Sequence, residues 1–140
     1  MSGKTSPKKT GGTALKQLLE NMSPQLREGE YVFLSFPGAH YGDHAVLEPL
    51  ATMIEDEGLT LVVPQTLADT HGHDYDATFR CITLQVHSSL EAVGLTAAFA
   101  KQLTLAGISA NVIAGFYHDH LFVPSGDADR AVAALQELSQ

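Results

Sequence analysis

The sequence predicts an α+β fold of two small interleaved units, with antiparallel sheets and helices on one face. Three observations predict it. From residue 78 onward the pattern runs strand, helix, strand, strand, helix. Only a few residues separate the two middle strands, so they form a hairpin. The last helical pattern ends at the C-terminus without a closing strand, so that strand is expected from elsewhere, and the N-terminal half has strands to lend.

The elements follow in order. Leu15, Leu18, Leu19 and Met22 recur at helical spacing, and Pro24 stops the stripe. Residues 31–36 (YVFLSF) form a β-rich run bounded by Pro37-Gly38. Residues 40–44 are turn-like. Residues 45–64 admit two readings. Leu47, Leu50, Ala51 and Ile54 fit a helix with Pro49 in its first turn. Alternatively, residues 50–54 and 59–63 are strands of a hairpin, with Gly58 supplying a positive φ. Residues 65–77 read as a helical turn followed by a polar loop containing His71-Gly72-His73-Asp74.

Residues 78–86 alternate. Ile82, Leu84 and Val86 face one way, and Thr83, Gln85 and His87 the other, which predicts a half-buried strand. Ser88-Ser89-Leu90-Glu91 matches a capping box. Leu95, Ala98, Phe99, Gln102, Leu103 and Ala106 trace a helix face that Gly107 can terminate. Residues 108–114 and 121–123 read as strands. Asp127 can cap a last helix that buries Ala131, Val132, Leu135 and Leu138. The strand–helix–strand crossover is expected to be right-handed. Together these make most of a ferredoxin-like βαββαβ unit.

Composition narrows the function classes. The chain has 140 residues, 44% hydrophobic and 17% charged, which suits a globular domain and is too apolar for a disordered chain. No apolar run approaches the ~20 residues of a membrane span, and no secretory signal is visible. The one cysteine, Cys81, rules out an internal disulfide and fits a reducing compartment, so a cytoplasmic location is expected. The net charge is −8, with Lys4, Lys8 and Lys9 all in the first nine residues. The rest of the chain is strongly acidic, which argues against nucleic-acid or anionic-membrane partners. Residues 1–13 are read as a disordered tail, residues 14–77 as the N-terminal unit and residues 78–140 as the C-terminal unit.

The stretch HSSLEAVGLTAAFAKQLTLAGISANVIAGFYHDHLFV resembles an ACT domain, a small-molecule sensing module of amino-acid metabolism. It carries a glycine-bearing loop before a helix and an AGIS opening to the next strand. Val93-Gly94 replaces the usual Pro-Gly pair. The N-terminal half, with YVFLSF and LATMIEDEGLTLVVPQ, is similar to the partner domain of small bacterial tandem-ACT proteins. It is also similar to the ACT pairs of aspartate kinases and of cytosolic arginine sensors. The resemblance implies two ACT-like units and favours the hairpin reading of residues 50–63. It also implies side-by-side association into a homodimer or higher homo-oligomer.

The expected ligand is a small amino acid or related metabolite, in a non-catalytic regulatory protein. A carboxylate needs N–H donors at a helix start, which Ser89, Val93, Gly94 and Leu95 can offer. Ile108, Ser109, Ala110 and Asn111 supply the neighbouring strand, and Asp119 an acceptor for an ammonium or guanidinium. The resemblance to the arginine sensors implies ligand-lining roles for Ser109 and Ala110 and ligand recognition by Asp119. Each residue also has a plainer role: Gly94 in a turn, Ser89 as a helix cap, Asp119 as a hairpin residue.

Seven histidines include His118-Asp119-His120, His40-x₃-His44 and His71-Gly72-His73, but none completes a three- or four-ligand motif. His87 reads as a hydrogen-bonded strand end. No metal or other cofactor is expected. No G-x-S-x-G, P-loop, C-x-x-C or G-x-G-x-x-G motif is present. Cys81 sits on a strand and reads as packing, and Glu55-Asp56-Glu57 as a solvated turn. The competing functions are an interaction module using the helix-free sheet face, with Thr83, Gln85 and Ile113, and a histidine-based metalloenzyme.

Overall fold

The computed structural model describes residues 16, 17, 19–85 and 94–139. Among them, the strands and α-helices run β1 (Pro24–Leu26), β2 (Tyr31–Phe36), β3 (Ala51–Glu55), β4 (Gly58–Pro64), α1 (Gln65–Thr70), β5 (Phe79–Leu84), α2 (Leu95–Leu105), β6 (Asn111–Ala114), β7 (Asp119–Pro124) and α3 (Ala128–Gln136). Residues 16, 17, 19 and 20 are helical as well. All strands join one antiparallel sheet, ordered β3-β4-β2-β5-β7-β6, with β1 on β5.

The C-terminal unit β5-α2-β6-β7-α3 receives its missing strand from β1, which lays residues 24–26 antiparallel to residues 84–82. The N-terminal unit holds β2, β3, β4 and α1. A 3₁₀ turn at Ala45–Leu47 stands where the C-terminal unit has helix α2. The hairpin reading of residues 50–63 is the one observed. Its turn needs Gly58, with φ 153° and a backbone so close that a Cβ would sit 2.9 Å from Phe36 O.

Burial explains the layering. Ile82 and Leu84 of β5, with Leu121 and Val123 of β7, pack against Leu95, Phe99 and Leu103 of α2 and Ala131 and Leu135 of α3. Val32 and Leu34 of β2, with Leu59, Leu61 and Val63 of β4, pack against Leu47 and Ala68. On the opposite, helix-free face a third cluster joins Val62, Cys81 and Phe122, edged by Tyr31, Phe33, Ala51, Phe79 and Ile113. Phe33 packs edge-on against both Phe79 and Phe122. This cluster spans both units. The sheet curls enough for Ala51 of β3 and Ile113 of β6, at opposite ends of the strand order, to line one cavity.

Several expectations need correction. Residues 24–26 form a strand where only a helix stop was expected. β5 is buried on both faces rather than half-buried: Thr83 is 6% exposed and Cys81 fully buried, because the aromatic cluster covers the second face. β6 begins at Asn111, not at residue 108. Ile108 instead closes α2. Its N–H donates to Leu103 O and that of Gly107 to Thr104 O, both at 2.9 Å, with Gly107 at φ 74°. Asp127 precedes α3, but its carboxylate makes no cap bond; it pairs with Arg130 at 3.1 Å. The capping box at residues 88–91 lies outside the described residues.

Candidate ligand-binding surfaces

Gly94 adopts φ 87° directly before α2, and no side chain caps that helix start. Among the described residues, none gives its first-turn N–H groups a side-chain cap. Leu95 and Ile108 are buried in the C-terminal core, and Ala110 packs against its edge. Ser109 and Asn111 are exposed. Ser89 and Val93 lie outside the described residues. Asp119 opens β7 opposite Leu84, at the end where the chain leaves β5 for α2. Burial pushes its carboxyl above the usual carboxylate range, and neighbouring His120 opposes that rise.

Among the described residues, Gly94 and residues 108–111 lie at opposite ends of α2. Gly94 stands before α2 and residues 108–111 follow its end. Eleven helical residues separate them by about 16 Å at 1.5 Å per residue. Asn111 belongs to a different recess. It lines a space of about 270 Å³ with Phe33, Asp76, Ala77 and Phe79 on the helix-free face.

Two features had no counterpart in the sequence reading. A cavity of about 80 Å³ on the helix-free face is bounded by Arg27, Leu50, Ala51, Ile113, His120 and Phe122. His120 Nδ1 lies 2.9 Å from Thr83 Oγ1. Burial holds the His120 imidazole below the usual histidine range, with Arg27 and His118 adding to the effect. Thr83 and Ile113, expected on this face, do lie there. The second feature is a cleft of about 370 Å³ between residues 33–36 of β2 and residues 73–76. Phe36 forms its apolar end, stacked on His44 at 3.8 Å and met edge-on by His73 at 5.2 Å. Tyr75 is fixed by hydrogen bonds with Gln65 and Asp69, both 2.8 Å.

Among the described residues, no group of three or more His, Cys, Asp or Glu side chains is placed to hold a metal ion. Nor is any described helix long and apolar enough to cross a membrane.

Two ferredoxin-like units sharing one antiparallel sheet define a tandem α+β protein. ACT-domain family models match residues 10–80 and 76–137, and the chain belongs to the ACT-domain family. It is similar to a crystal structure of a Vibrio cholerae protein of unknown function, described as a possible transport protein. The two are 53% identical with a TM-score of 0.85, over 94% of this chain and 100% of that one. An Agrobacterium tumefaciens protein is 17% identical with a TM-score of 0.65, over 85% of this chain and 90% of that one. The ligand-free regulatory subunit of Thermus thermophilus aspartate kinase shares the fold at 8% identity and a TM-score of 0.58, over 85% and 97%. No curated protein matches this chain.

Proposed function

We propose that this protein is a non-catalytic, cytoplasmic regulator that binds a small amino acid. The units are taken as residues 14–77 and 78–140, with residues 1–13 ahead of them. The ligand sits between two copies of the chain. One copy contributes the Gly94 turn, with Ser89, Val93, Leu95 and Asp119. The other contributes Ser109, Ala110 and Asn111, with Ile108 anchoring them in its core. The ligand carboxylate meets the N–H groups at the start of α2, and its ammonium meets Asp119. Binding then favours one arrangement of the pair.

The observation that carries this reading is the left-handed Gly94 before a helix start that no described side chain caps. The α2 spacing supports a site between copies, because one ligand cannot reach both groups of residues in one chain. The aspartate kinase regulatory subunits that share the fold support a regulatory role. Calorimetric titration with each of the twenty amino acids at millimolar concentration tests it. Heat from a few of them, lost in Asp119→Asn, is expected; silence from all twenty would remove free amino acids as ligands.

A second reading, a protein-interaction module, is favoured by one observation. Met53 and Ile54 on edge strand β3 are 61% and 71% exposed, and Phe116 and Tyr117 at the β6–β7 turn are 76% and 69% exposed. Recovery of one stoichiometric partner from native lysate, with no amino-acid binding, would favour it.

A further inference from the structure

The two units repeat one path, and β2 maps onto β5 with a shift of 48 positions, which carries Tyr31 to Phe79 and Phe36 to Leu84. The same shift carries β1 onto residues 72–74. Tyr31 and Phe79 pair with each other at the centre of this repeat. On one side of that centre, the outward edge of β5 is filled. Cys81 O accepts from Arg27 N at 2.9 Å, Gln85 N donates to Ser23 O at 3.3 Å, and β1 pairs along residues 82–84.

On the other side the matching edge of β2 is open. Gln65 N donates to Glu30 O, and the β2–β4 register then turns the backbone of Val32, Leu34 and Phe36 toward β4. By alternation, Phe33 and Ser35 turn theirs away from β4, toward the cleft. Residues 73–76, the counterparts of β1, border the cleft but make no backbone hydrogen bond to β2. A strand-shaped slot filled in one unit is therefore unfilled in the other.

We propose that this slot takes an extended, positively charged peptide strand, and that its occupant is residues 6–9 of this same chain. Three observations select that segment. The strand that fills the matching slot, Pro24-Gln25-Leu26, follows Ser23, and the N-terminal segment reads Ser6-Pro7-Lys8-Lys9. Proline is tolerated as the first residue of a strand, which is its place in β1. Asp74 and Asp76 line or flank the slot, and Lys8 and Lys9 supply opposite charge. Residues 10–15 can span about 20 Å between the segment and the first described helical residue. Docking adds a strand to an open sheet edge, so main-chain bonds to Phe33 and Ser35 hold it and the lysines set its register.

Amide hydrogen exchange tests this without reference to amino-acid binding. The full chain is compared with a chain starting at Ala14. The Phe33 and Ser35 amides are expected to exchange about tenfold faster in the shortened chain. Val32 and Leu34, bonded to β4, should be unchanged, which shows that the fold is intact. Adding a synthetic peptide of residues 1–13 at millimolar concentration restores protection. The double variant Asp74→Lys, Asp76→Lys in the full chain reproduces the fast exchange. Equal rates for Phe33 and Ser35 in the two chains, or protection that survives the charge reversal, would overturn the proposal.

Discussion

Thr83 Oγ1 lies 2.9 Å from His120 Nδ1, across the β5–β7 pairing and on the sheet face that carries no helix. Because burial depresses the His120 pKa, the folded chain prefers the neutral ring. The unfolded chain binds that proton more readily. His120 therefore contributes stability that is present above the ordinary histidine value of 6.5 and lost as pH falls through its lower folded value. Denaturant unfolding at pH 5 and pH 7.5 is expected to show a smaller pH dependence in His120→Gln than in the parent. An unchanged dependence would remove His120 as its source.

The hydroxyl in that pair has its own test. Thr83→Val keeps the shape and removes the hydrogen bond at a buried position, at a cost of about 1–3 kcal/mol. Chemical denaturation reads it directly. A change within a few tenths of a kcal/mol would mean that the ring finds another partner.

At Gly58 the β3–β4 turn is too close for any side chain. Gly58→Ala would drive a Cβ to 2.9 Å from both Phe36 O and Pro37 Cα, at φ 153°. A loss of about 1–3 kcal/mol is expected from the strained backbone alone. Thermal unfolding measures it.

Glu48 runs the other way. It holds φ 50° in the left-handed region without being glycine. Glu48→Gly relieves steric cost of about 1 kcal/mol, partly offset by the freer unfolded chain. A net gain in unfolding free energy is expected, whereas Glu48→Val should lose stability.

Cys81 is fully buried, and burial pushes its thiol pKa up. A thiol-reactive disulfide reagent at pH 8 is therefore expected to label it only after denaturation. Rapid labelling of the native chain would mean that the aromatic face opens readily.

Legibility varied with the range of the contacts involved. Helix α2 and its glycine stop could be read from periodicity, because both rest on residues a few positions apart. Gly58 was legible as a turn residue for the same reason. β1 was not: three residues beginning with a proline carry no strand period, and only pairing with β5, nearly sixty positions away, makes them a strand. The candidate residues show the same divide. Gly94 could be singled out by its local turn, but its separation from Asn111 is set by a helix packed against the sheet. The β2 cleft was invisible, since it exists only because residues 73–76 run beside β2 without bonding to it.

By itself, then, the sequence determined the α+β class, two units and the need for one strand from outside the C-terminal unit, since these follow from local periodicity and from counting strands. Tertiary structure decided which faces are dry, which edges are filled and which candidate residues meet. Those depend on how the sheet curls, and the curl joins Val62, Cys81 and Phe122 from strands far apart in the chain.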